Sequence, residues 1–179
     1  MEVSRVEDWK FHSGSLTNEE LDIVFSSAGN LSTMIGYVDD NSSQTVSKIK
    51  AKARSLKKKG KLDLIIIDYL QLAEGEDKTD TRNNEVAKIS RGLKKIAKDL
   101  NVPVVVLSQL NRGSEARPNK RPMLSDLRDS GAIEQDADSV IFIHRPEYYK
   151  EVCIAKRNGT EYTIENGIEF IIAKFREGA

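Results

Sequence analysis

The sequence predicts an α/β layered domain with a mainly parallel sheet, and three observations predict it. Leu64-Ile65-Ile66-Ile67 and Val102 to Leu107 are continuous β-prone runs, the pattern of strands buried on both faces, which is typical of parallel sheets. Between them Val86, Ile89, Leu93, Ile96 and Leu100 recur at helical spacing and make one long amphipathic helix. Ser139 to Ile143 and Ile168 to Ala173 then repeat the buried-strand pattern. Buried strands separated by helices are the mark of helix-covered sheets.

The elements follow in chain order. Thr17-Asn18-Glu19-Glu20 is a capping box that opens a helix, because Thr and Glu satisfy each other's backbone donors. Leu21, Val24, Phe25 and Ala28 continue it at helical spacing, with Gly29 as its stop. Ser32 to Val38 reads as a short strand and Asp39-Asp40-Asn41 as a turn. Ser42 or Ser43 caps the next helix, with Val46, Ile49, Ala53 and Leu56 on one face and lysines over the other. Glu74 to Asn84 is charged and loop-like, and Asn101 ends the long helix. Asn111 to Pro122 is polar without an apolar pattern and reads as a mobile loop. Tyr162 to Ile164 is placed near the last strand as a hairpin partner. No internal repeat and no long linker divides residues 1–179, which are taken as one partial domain.

Composition narrows the function classes. Lys+Arg and Asp+Glu are equal at 28 each in 179 residues, so bulk charge makes no case for nucleic acid and any such site must be local. No apolar run approaches the roughly 18 residues of a membrane span, and the start carries no apolar signal segment. A single cysteine, Cys153, excludes an internal disulfide. These features fit a cytoplasmic location and no membrane partner.

Four segments stand at strand ends, where open α/β sheets bind ligands. Asp68 directly follows Leu64-Ile65-Ile66-Ile67; a carboxylate fixed at a sheet edge suits Mg²⁺ or its waters beside a phosphate. Gln109, in Leu107-Ser108-Gln109-Leu110-Asn111-Arg112, could sense a terminal phosphate or orient a water. The stretch Asp126 to Asp138 combines Gly131 and small residues with Arg128 and several carboxylates, and its backbone donors and Arg128 could grip nucleic-acid phosphates. Lys174-Phe175-Arg176 places two cations at i, i+2, pointing the same way on an extended segment. Each segment alone also has a plain structural reading, as a strand-end turn, a surface-loop amide, a solvated loop or strand-end charges in solvent.

Order and spacing together carry more. Leu64-Ile65-Ile66-Ile67-Asp68-Tyr69-Leu70-Gln71-Leu72 is similar to the Walker B segment of the DnaB-type hexameric replicative DNA helicases. Glu85 to Lys94 resembles the helix that follows. Leu107 to Arg112, Arg121 to Asp138 and Phe142 to Tyr149 resemble the motifs after it. The likeness is dense from Asp63 to Tyr149 and looser outside, including Arg5 to Asp40. It implies a three-layer RecA-like P-loop NTPase core with a mainly parallel sheet, truncated at its N-terminal side.

The resemblance also implies roles. Asp68 would hold the Mg²⁺ of ATP, directly or through water, and Gln109 would sense the γ-phosphate. Arg128, Asp129 and Gly131 fall where the family's channel loop meets single-stranded DNA. Lys174 and Arg176 match the pair that reaches the γ-phosphate on the adjacent subunit. Ala155 to Gly159 also resembles that segment but lacks the intervening residue and the preceding buried strand. The parent would be a hexamer that couples ATP hydrolysis to translocation and duplex unwinding, with primase and a helicase loader as partners through its other regions.

Departures weigh against an active isolated chain. No G-x-x-x-x-G-K-[ST] occurs; Gly60-Lys61 precedes a strand, whereas a phosphate loop follows one. The catalytic glutamate has no secure counterpart, Glu2 being near the place. The strand that leads into the phosphate loop would lie beside Val102 to Leu107, which predicts an unpaired sheet edge there. The alternative reading is a non-catalytic RecA-like module that binds DNA or a protein partner. A metal-dependent nuclease is disfavoured because Asp63 lies at the far end of the strand from Asp68, roughly 16 Å away at about 3.3 Å per residue.

The 179-residue chain alone is expected to hydrolyse ATP no faster than background, since phosphate-loop amides and Lys normally hold the β- and γ-phosphates. A steady-state assay checks this. Mg²⁺-dependent turnover that disappears in Asp68→Ala contradicts it.

Overall fold

The computed structural model describes residues 6–32, 36–41, 44–73 and 81–176, with the side chains of 112, 114, 128–130 and 157 excepted. The chain forms two compact units, Met1–Asp40 and Asn41–Ala179.

In the first unit, α1 (Asp8–Ser13) ends at Gly14, which takes the left-handed conformation, and α2 spans Asn18–Ser32. The capping box forms as the sequence predicts. Glu20 N–H donates to Thr17 Oγ1 at 3.2 Å, and Thr17 N–H donates to Glu20 Oε2 at 3.0 Å. Gly29 does not stop the helix, which runs a further turn without needing a positive φ there. Phe25 of the expected apolar stripe is 70% exposed. The predicted strand Ser32–Val38 is not seen in its described residues: Ser32 is helical and 36–38 are irregular, while 33–35 lie outside the described residues.

The second unit is built on a parallel pair. Strand β1 (Ile65–Ile67) pairs with β2 (Val104–Val106) in the register Ile65↔Val104, Ile66↔Val105, Ile67↔Val106. Parallel strands need a crossover, and α4 (Arg82–Leu100) supplies it. Val86, Ile89, Leu93 and Ile96 are buried with Leu70 and Ala73, and Ile65, Ile67 and Val106 pack against them. Asn101 closes α4 at φ 49, its N–H donating to Lys98 O while Val102 N–H donates to Ala97 O. Helix α3 (Val46–Lys58) is capped by Thr45, whose hydroxyl accepts from Lys48 N–H at 3.4 Å. The expected caps Ser42 and Ser43 lie outside the described residues. Ala53 joins Leu62 and Val102 in a second cluster, against which Leu56 packs.

Helix α4 carries a neighbour on each flank. At about 100° per residue, Gly92 and Asp99 share one side of it and Ser90 and Lys94 the opposite side. Gly92 meets Val46 of α3, and Lys50 of α3 pairs with Asp99 at 2.6 Å. On the other flank Ser90 Oγ donates to Asp136 at 2.8 Å and Lys94 pairs with Asp138.

The sheet is less parallel than the sequence suggests. Strand β3 (Ser139–His144) pairs antiparallel with β6 (Glu169–Phe175), and β4 (Cys153–Arg157) pairs with β5 (Thr160–Ile164) as a hairpin. Tyr162 to Ile164 therefore pairs within its own hairpin rather than with the last strand. Burial is one-sided: Val140 and Phe142 are buried whereas Ile141 is 56% exposed, and Ile66 and Val105 are 62% and 50% exposed. Helix α4 covers one face of β1 and β2, and among the described residues no helix covers the other. The second edge of β2 has no partner among the described strands. No helix among the described residues is long and apolar enough to cross a membrane.

Gly92 marks where α3 and α4 approach most closely. A Cβ there would lie 2.6 Å from Val46 Cγ1, and a β-branched side chain in a helix has one favoured χ1 and cannot swing away. Gly92→Ala is thus expected to lower stability by about 1–3 kcal/mol, although helix propensity alone would favour Ala by about 1 kcal/mol. Urea unfolding reads the sign; a raised midpoint contradicts the packing account.

Candidate functional site

The C-terminal ends of β1 and β2 form one edge. Beyond the paired residues, Leu107 N–H donates to Ile67 O and Leu70 N–H donates to Leu107 O, both at 2.9 Å. These bonds fix the two post-strand segments side by side, and Leu70, 1% exposed, anchors the short 3-10 turn Leu70–Leu72 in the core. Asp68 and Gln109 are both exposed there and line one open cleft with Tyr69, Leu107 and Ser108. The structure thus brings together these two residues, which lie far apart in sequence.

Gln71 organises that edge. Its Nε2 donates to Ser108 Oγ at 3.1 Å and to Gln109 O at 3.3 Å, and its Oε1 accepts from Gln109 N–H at 3.4 Å. Arg82, at the start of α4, donates to Gln71 O at 2.5 Å and pairs with Glu85. Gln71 lies within the motif that the sequence displays, but its role depends on partners 37 and 38 residues away. No local pattern encodes those partners.

Arg128 and Asp129 lie in a 3-10 stretch, Leu124–Ser130, that runs directly into α5 (Gly131–Asp136). Gly131 is exposed at the junction. The side chains of Arg128 and Asp129 are outside the described ones. The segment before them, expected to be mobile, is tied down instead. Arg112–Ala116 form a 3-10 turn, Arg117 pairs at 2.7 Å with buried Asp126, and Arg121 pairs with Glu169 at 2.5 Å. Asp126 also accepts from Met123 N–H at 2.8 Å.

Lys174 and Arg176 converge on the end of α5. Lys174 donates to Glu134 O, and Arg176 Nη2 donates to Gln135 O at 2.7 Å. Arg176 N–H donates to Asp138 O at 2.8 Å, and its Nη1 lies 3.4 Å from Asp138 Oδ1. The last carbonyls of a helix lack intrahelical partners and carry partial negative charge, so two cations there are favoured. The i, i+2 spacing does aim both side chains the same way. The described hydrogen bonds and ion pairs do not join this pair to Asp68 or Gln109.

The observation that decides the family comes from comparison. Residues 1–179 match the family model of the DnaB-like helicase C terminal domain. The chain belongs to this family. It is similar to the replicative DNA helicase DnaB of Rickettsia typhi, 42% identical over 183 residues, covering 98% of this chain and 37% of that protein. It is also similar to the replicative DNA helicase DnaC of Bacillus subtilis, 48% identical over 167 residues, covering 93% of this chain and 35% of that protein. Among solved structures, a DnaB-like replicative helicase, described with its interactions with primase, superposes with a TM-score of 0.87 at 38% identity, covering 99% of this chain and 41% of that one. A solved ATPase domain superposes with a TM-score of 0.85 at 37% identity, covering 99% and 61%. The chain spans between 35% and 37% of the length of the two curated relatives. These likenesses place it in a RecA-like α/β fold.

The hydrogen bond from Lys94, aided by the charges of Lys94, Arg176 and Lys98, holds the Asp138 carboxyl below its usual range. A depressed carboxylate contributes stability above its unfolded pKa of about 3.9 and loses it as pH falls through the lower folded value. Asp138 is 64% exposed at its side chain, so the effect is modest. Stability of Asp138→Asn is expected to fall less steeply than that of the parent below about pH 4. Acid unfolding curves that superimpose contradict this assignment.

Proposed function

We propose that the chain is the nucleotide-hydrolysing part of a replicative DNA helicase. The whole protein couples ATP hydrolysis to movement on single-stranded DNA and to duplex unwinding. The observation that carries this is the shared edge of Asp68 and Gln109 at the ends of two parallel strands, in a chain whose relatives are replicative helicases.

The donor set fits a nucleotide-bound Mg²⁺. Among the described residues no three His, Cys, Asp or Glu side chains converge as a metal cage. An exposed strand-end carboxylate suits the octahedral cation, which keeps several waters and takes one or two carboxylates plus substrate phosphates. When bound, the metal supplies charge neutralisation to the β- and γ-phosphates. Asp68 holds it, directly or through water. Gln109, its backbone fixed by Gln71, presents its amide to the terminal phosphate or the attacking water.

Lys174 and Arg176 serve a site on the adjacent subunit of a hexamer. Their grip on α5 supports this reading, because it fixes both cations at the end of β6. A guanidinium has five N–H donors, so Arg176 keeps donors beyond those used on Gln135 and Asp138. Arg128, Asp129 and Gly131 meet the phosphates of single-stranded DNA. Primase and a loader engage other parts of the whole protein.

In the full-length protein, Arg176→Ala is expected to lower hydrolysis by about 10³–10⁵ while leaving nucleotide binding largely intact. Mixing it with Asp68→Ala subunits is expected to restore activity at sites that pair one intact Asp68 with one intact Arg176. No recovery in hexamers shown to be mixed contradicts the trans role.

A further inference from the structure

The surface of α3 has no part in the site above. From Asn41 to Leu62 the chain carries eight lysines and arginines and no aspartate or glutamate, although its overall net charge is zero. The helix therefore concentrates positive charge that the rest of the molecule offsets. Lys48, Lys52, Arg54 and Lys58 are exposed on its outer arc, with only Ser and Ala between them. The pairs Lys48–Lys52, Lys50–Arg54 and Arg54–Lys58 are at i, i+4, where like charges destabilise a helix. Its first turn has no acidic residue to complement the dipole.

The patch continues across the seam to α4. Lys50 pairs with Asp99, and the charges of Lys95 and Arg54 also act on that carboxylate. Lys95 is exposed on α4 beside it. Packing thus joins the cations of α3, spaced about one turn or 6 Å apart along the helix, to Lys95 of α4.

The chemistry of the face selects its partner. The apolar residues of α3 are already committed to the core, with Ala53 buried and Val46, Ile49 and Leu56 packed on it. No apolar face remains to enter a membrane, as a surface-bound amphipathic helix requires. The outer arc offers no aromatic or large apolar anchor of the kind that dominates protein–protein interfaces. Lysine is a flexible point charge that reads phosphate without base geometry.

We infer that the joined outer faces of α3 and α4 are a sequence-independent binding surface for a nucleic-acid backbone. It lies on the opposite flank of α4 from α5 and is separate from the strand contact of Arg128, Asp129 and Gly131. It holds single strands and duplex alike.

The test is fluorescence anisotropy of the 179-residue chain with a labelled oligothymidylate and a mixed-sequence duplex, across a salt series. The variants are Lys52→Glu/Arg54→Glu/Lys58→Glu, the same three changed to Gln, and Arg128→Ala. The Gln variant is expected to bind both probes more weakly and to lower the salt slope by roughly 2 on the single strand and roughly 3 on the duplex, and the Glu variant to weaken binding further. Because Arg128 belongs to the proposed single-strand contact, Arg128→Ala is expected to weaken single-strand binding, and adding the three Gln changes to it is expected to weaken binding further. Circular dichroism identifies any variant that loses its helices, and the Gln variant decides if the Glu variant does. Unchanged affinity and slope in a folded Gln variant overturn the inference. So does tighter binding to phosphatidylserine vesicles, or to polyglutamate, than to either nucleic acid at the same salt.

Discussion

Parallel pairing of β1 with β2 constrains everything around the candidate site. Two parallel strands cannot be joined by a tight turn, so the chain must leave β1, cross over and return in the same direction. That return sets the C-terminal ends of both strands at one edge. The bonds from Leu107 N–H to Ile67 O and from Leu70 N–H to Leu107 O then hold the segments after them in register. Asp68 and Gln109 are neighbours because of that backbone geometry, before either side chain makes a contact. Leu70 buries the turn after Asp68, and Gln71 reaches back to fix the backbone of Gln109. A carboxylate and an amide on a rigid edge are the arrangement that electrostatic catalysis needs, since groups fixed in advance need no reorganisation as charge develops.

The crossover helix extends the same constraint outward. Helix α4 buries Ile89, Leu93 and Ile96 against the strands, and its two flanks place α3 and α5. On one side Gly92 admits Val46 and Asp99 receives Lys50. On the other, Ser90 and Lys94 receive Asp136 and Asp138. Helix α5 is only six residues long, too short to be stable alone, and its end is held by Lys174 and Arg176 as well as by α4. The same helix begins at the residues proposed to meet DNA and ends at the cations proposed to reach the neighbouring phosphate. Displacing either end therefore perturbs a single small element.

Features written in local pattern were legible in the sequence. The five apolar positions of the long helix, its end at Asn101 and the capping box at Thr17 all read directly, because 3.6-residue periodicity and cap chemistry are properties of contiguous residues. The strand-end positions of Asp68 and Gln109 were legible for the same reason. Partnership was not. Apolar runs mark strands but do not say which strand lies alongside or in which direction, so the antiparallel β3–β6 pair and the β4–β5 hairpin escaped. Continuous runs such as Leu64-Ile65-Ile66-Ile67 also overstated burial, since Ile66 is exposed on the face that α4 does not cover. The roles of Gln71, Asp138 and Arg117 rest on contacts between distant positions, which no spacing rule reveals.

The central claim is that the metal of the bound nucleotide sits at the edge shared by β1 and β2. Metal-directed backbone cleavage tests it most directly: Fe²⁺ replaces Mg²⁺ with ADP in the full-length protein, a peroxide pulse follows, and mass spectrometry maps the cuts. The account predicts cleavage concentrated at Asp68 and Tyr69 and at Ser108 and Gln109, abolished by Asp68→Ala. Cleavage centred on the β4–β5 hairpin, or cuts near Asp68 that persist in Asp68→Ala, would contradict it.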